Sequence, residues 1–121
     1  MTLSVLFFAT GYWKRKEMRL HRIWMSLGVA ANLLTAILLV VSVHAFAGSD
    51  MVKAGFVPIV PPYIVLAHRL LAVLAAVVML AMVVTGILRK RSIHIALHYA
   101  FIPLYSIVYV SGLFIFEAGS P

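Results

Sequence analysis

The sequence predicts an all-α integral membrane helical bundle, with three full spans plus a short N-terminal hydrophobic helix in a four-helix arrangement. Three observations carry this. The 121 residues are 64% hydrophobic and only 11% charged, with a mean hydropathy of +1.11, too little polar surface for a soluble domain of this size. Two stretches, residues 23–46 and 63–88, carry almost no charge and are each long enough to cross a bilayer, and a third, 92–116, follows directly. Finally, eight of the ten cations flank these runs, as Lys14, Arg15, Lys16, Arg19 and Arg22, and as Arg89, Lys90 and Arg91.

Taken in order, residues 1–13 are apolar but rise only about 20 Å as a helix, short of the ~30 Å hydrocarbon core. They form a partial helix, and their flanks are wrong for a signal peptide, which opens on its positive charge. Tyr12 and Trp13 suit the headgroup region. Residues 14–22 are a basic linker. Residues 23–46 form the first full span, about 36 Å long, with Asn32 near its middle. Gly48, Ser49 and Asp50 end it, and the segment up to Pro62 is an outer loop containing Pro58, Pro61 and Pro62. Residues 63–88 form the second span and stop at the Arg89–Lys90–Arg91 turn. Ser92 is suited to cap the last helix, 92–116, in which Pro103 predicts a kink. No internal repeat is evident, and residues 1–121 read as one domain.

The net charge of +7 does not point to nucleic acid, because the cations are confined to the ends of the spans. That is the pattern of the positive-inside rule, and it puts segments 14–22 and 89–91 in the cytoplasm. The chain has no cysteine, which excludes disulfides, thiolate metal sites, iron–sulfur ligation and covalent c-type haem. The three acids, Glu17, Asp50 and Glu117, all lie outside the spans, which argues against a carboxylate proton relay. No hydrolase or transferase constellation is present, so an enzyme is not expected.

The chemistry is left to histidine. His21 and His94 fall at the basic rim of their helices, and His44 and His68 at the opposite rim. Each layer draws one imidazole from each of two helices, as bis-histidine haem b or a small copper site requires. Neutral imidazole enters a membrane more cheaply than a fixed charge and is also the ligand form. His68, Ala72, Ala75, Met79, Met82 and Gly86 share one helix face, and His94, His98, Tyr105 and Gly112 another. Arg69 is placed either to pair with a haem propionate or to snorkel to the interface. The alternatives are ordinary: His21 as an interfacial residue, His98 as an interhelical hydrogen bond, Met79 and Met82 as packing. His21 and His44 are about 34 Å apart along one helix and differ by roughly 140° in direction, so two sites would lie at opposite faces. Spacing alone leaves haem, copper and pure structure open.

The succession Gly-Tyr-Trp-Lys-Arg-Lys…Leu-His-Arg at 11–22, His44, Ala-His-Arg at 67–69, Arg-Lys-Arg before His94, and Pro103 with Ser-Gly at 111–112 resembles the YozB/CtaM-like small bacterial membrane proteins. That family is catalogued as a domain of unknown function linked to cytochrome oxidase maturation. The resemblance covers essentially the whole chain and takes its specificity from the order and spacing of short motifs. It implies a four-helix protein of the bacterial inner membrane, with histidines at 21, 44, 68 and 94, connected to maturation or function of haem–copper oxidase. His98 lies outside that pattern. The expected function is therefore an oxidase-associated or assembly factor that binds haem b or copper, its partners being the lipid bilayer and other membrane subunits. A bis-histidine cytochrome b subunit and a purely structural subunit stand as alternatives.

Overall fold

The computed structural model describes residues 1–118. Helix α1 spans Thr2–Trp13 and α2 spans Met18–Val41, continuing as one π-helical turn over Ser42–Phe46. A short strand β1, Phe56–Pro58, precedes α3, Pro62–Ile87, and α4, Arg91–Ile115, which ends in strand β2, Phe116–Ala118. Three helical stretches, Met18–Phe46, Pro62–Ile87 and Arg91–Ile115, are long and apolar enough to cross a membrane, and Thr2–Trp13 is a shorter apolar helix. The predicted fold class is the observed one.

The helix bounds differ from the sequence reading in informative ways. α2 begins at Met18 rather than at residue 23, so Arg19, His21 and Arg22 lie in its first turns, and His21 N–H already bonds Glu17 C=O at 2.9 Å. Arg and Leu are good helix formers, and the charge of Arg19 and Arg22 hides the helix only from a hydropathy scan. Ser92 lies inside α4, and Lys90 occupies the cap position without a side-chain cap bond. α3 takes Pro62 in its first turn, where a missing N–H costs nothing. Helix α4 runs through Pro103 to Ile115.

Contacts divide the chain into two compact units, Met1–Ala54 and Gly55–Pro121, each a helical hairpin. In the first, α1 packs on α2 through glycine. A Cβ on Gly28 would lie 2.6 Å from the Phe8 ring, and one on Gly11 would lie 3.1 Å from Met25. The facing positions 8 and 28, and 11 and 25, fix an antiparallel register that places Asn32 across from the buried Ser4. The Phe7 and Trp24 rings meet at 5.8 Å.

The second hairpin follows the same logic over a longer seam. Gly86 faces His94, and Gly112 faces His68. That register sets Met82 opposite His98, Met79 opposite Phe101, Ala75 opposite Tyr105 and Val65 opposite Ile115. The spacing is alternately four and three on both helices, the pattern of an antiparallel coiled coil. Met79, Met82, Ala75, Val65, Phe101, Tyr105 and Ile115 are all buried, as the register requires. The face expected from the sequence of α3 is thus the face that packs. β1 pairs antiparallel with β2, Val57 opposite Glu117, and ties the open end of this hairpin.

An internal repeat absent from the sequence reading now shows. Each hairpin turns on a glycine followed, three residues on, by three cations: Gly11 with Lys14–Arg15–Lys16, and Gly86 with Arg89–Lys90–Arg91. Most large apolar side chains outside the seams are exposed, which suits lipid as the surrounding solvent. The chain is a multi-pass membrane protein whose helix pairs are held by close packing and hydrogen bonds, since lipid supplies no hydrophobic drive between helices.

Candidate histidine sites

Each of the four histidines expected at the span rims has its Nδ1 engaged. His21, in the first turn of α2, donates from Nδ1 to the Gly11 carbonyl of α1 at 2.8 Å. His94, in the first turn of α4, donates to the Met82 carbonyl of α3 at 2.9 Å, with Thr85 Oγ1 at 3.3 Å. The two basic turns therefore carry matching features, a histidine just after the turn bonded back to the helix before it. His44 donates locally to the Val40 carbonyl at 3.0 Å. His68 Nδ1 lies 2.8 Å from Ser111 Oγ across the α3–α4 seam.

These partners determine the tautomer. A carbonyl oxygen only accepts, so Nδ1 of His21, His44 and His94 carries the proton. Ser111 Oγ lies 3.2 Å from the Val108 carbonyl, an acceptor for its proton, so it can offer a lone pair to His68 Nδ1–H; unlike a carbonyl, a hydroxyl does not by itself fix the tautomer. Thr85 likewise donates to the Ala81 carbonyl at 2.9 Å and accepts from His94. A neutral ring at His21, His44 or His94 therefore presents a lone pair at Nε2, and His68 does the same when it donates to Ser111. Metal- and haem-ligating histidines nearly always donate their other ring N–H in this way, so the residues fit the ligand role chemically.

Glycine makes room for two of the rings. A Cβ on Gly86 would lie 3.5 Å from both Cε1 and Nδ1 of His94, and one on Gly112 would lie 3.4 Å from Cε1 and 3.8 Å from Nε2 of His68. The Phe116 ring stands edge-on to His68 at 6.2 Å and meets Phe56 at 6.0 Å, so the strand pair roofs this histidine with aromatics.

The structure does not assemble either expected pair within one hairpin. His21 and His44 belong to the first, His68 and His94 to the second. His44 and Arg69 are exposed, and His68 and His94 are half-buried. His98 sits in the seam with its Nδ1 buried, one turn from His94. Among the described residues there is no group of three or more His, Cys, Asp or Glu placed to hold a metal ion. Ser111 and Thr85, which orient two of the imidazoles, were not singled out by spacing. The matched four-three repeats of α3 and α4 were the available signal, since they set residues 68 and 111–112 side by side.

No protein-family model, curated protein or solved structure matches the chain.

Proposed function

We propose that this membrane protein binds haem b or copper through Nε2 of His21, His44, His68 and His94, and that it serves the aerobic respiratory system as a non-enzymatic oxidase-associated or assembly factor. The observation that supports the binding reading is the shared Nδ1 engagement, which by carbonyl acceptors puts three imidazoles in the ligand tautomer and by the Ser111 hydroxyl is compatible with it in the fourth. Three of those bonds reach a neighbouring helix, so they orient the rings as well as protonate them. The respiratory connection rests on the resemblance to the YozB/CtaM-like family. The bacterial inner membrane as its location, and the cytoplasmic side for segments 14–22 and 89–91, follow from that resemblance and from the basic turns. Either cofactor would supply one-electron redox chemistry when bound. The chain itself supplies neutral ligands, fixed ring orientations and an apolar surrounding. Arg69, exposed beside His68, is the cation that would pair with a haem propionate.

The test is a reduced-minus-oxidised visible spectrum and copper analysis of the full-length protein, purified from cells supplied with haem and copper. The reading expects a haem band or bound copper, diminished in His21→Ala, His44→Ala, His68→Ala and His94→Ala but kept in His98→Ala. A stoichiometric haem that survives purification would favour the cytochrome b alternative. A featureless spectrum with no copper would refute binding altogether.

A further inference from the structure

Of the four histidines, His68 alone is held by a side chain rather than by a backbone carbonyl. His68 Nδ1 and Ser111 Oγ lie 2.8 Å apart, and Ser111 Oγ lies 3.2 Å from the Val108 carbonyl. With the Val108 carbonyl within reach of the hydroxyl proton, Ser111 can keep a lone pair to accept from the ring. The carbonyls that hold His21, His44 and His94 cannot be removed by mutation, whereas this acceptor can. His94 offers the internal contrast, because its Thr85 hydroxyl at 3.3 Å is secondary to the Met82 carbonyl at 2.9 Å. The Ser111 position also adjoins Gly112, the residue that leaves space beside Nε2.

We infer that Ser111 is a positioning residue for His68: it holds the imidazole in the Nδ1–H form and aims the Nε2 lone pair at whatever ligand this end of the hairpin takes. The inference builds on the reading of His68 as a haem or copper ligand, but its first readout needs no cofactor. Full-length protein labelled with ¹⁵N-histidine, in micelles and free of haem and copper, reports by NMR which ring nitrogen carries the proton. Wild type is expected to show His68 protonated at Nδ1. Ser111→Ala is expected to shift His68 toward the Nε2–H form, Ser111→Thr to restore it, and Thr85→Val to leave His94 unchanged. The other histidine signals monitor the fold. In haem- or copper-loaded protein, Ser111→Ala should weaken binding by about 10–100-fold, the usual effect of losing such a partner. An unchanged His68 tautomer in Ser111→Ala, or Nε2–H in wild type, would overturn the inference. The expected tautomer response in a protein that takes up neither haem nor copper would uphold the positioning and refute the binding function instead.

Discussion

Gly28→Ala tests the packing of the first hairpin with an effect whose sign can be worked out. The added methyl would lie 2.6 Å from Cδ1 and Cε1 of Phe8 and 3.2 Å from Cγ, about 1 Å inside normal carbon contact. Overpacking of this kind costs about 1–3 kcal/mol. Against it, alanine gains about 1 kcal/mol over glycine within a helix. The net expectation is a loss of up to about 2 kcal/mol. The two contributions separate in a Phe8→Leu background, where the ring is gone and only the helical gain remains, so Gly28→Ala should there become stabilising. The cycle should give a coupling of about 1–3 kcal/mol, within the range found for residues in contact. Reversible unfolding in mixed micelles, followed by Trp24 fluorescence next to Phe7, provides the measurement. If Gly28→Ala is already stabilising with Phe8 present, or if the two changes simply add, then Phe8 does not seat on Gly28 and the register of this hairpin is wrong.

Other outcomes follow from the same contacts. Gly112→Ala meets His68 at ordinary contact distance, so it should gain about 1 kcal/mol of stability from the helix while reducing haem or copper uptake at His68; equal uptake would show that Nε2 is not the ligand atom. Phe56→Ala removes the edge contact that braces Phe116 and should cost hairpin two about 0.5–1.5 kcal/mol beyond lost area, read as a lower unfolding midpoint. Since the chain has no cysteine, single cysteines at 52 and 90 can be introduced without removing others. An impermeant thiol reagent should reach residue 52 from outside the cell and residue 90 only after permeabilisation; the reverse pattern would invert the assigned topology.

The spans were legible because hydropathy is a property of composition over twenty residues, and α3 illustrates it: bounds within one residue and the buried face both follow from the apolar pattern. The first turns of α2 were not, because Arg19 and Arg22 interrupt the apolar run without interrupting the helix. The β1–β2 pairing joins three residues to three others sixty positions away, and neither strand is long enough to show a period of two. The candidate histidines could be picked out as polar groups at apolar rims. Their hydrogen-bond partners could not, since the distance from His68 to Ser111 depends on the register between two helices and not on either helix alone.

The π-helical turn at Ser42–Phe46 has a consequence for how His44 is aimed. Such a turn amounts to one extra residue accommodated in an otherwise α-helical rod. Deleting a single residue there would let the α-helix close, and everything beyond would swing by about 100°. The bearing of His44 is therefore written in chain length, so that an insertion or deletion, rather than a substitution, is the change that would re-aim it. A helix whose histidine is aimed this way can exchange its other lipid-facing side chains without turning the imidazole.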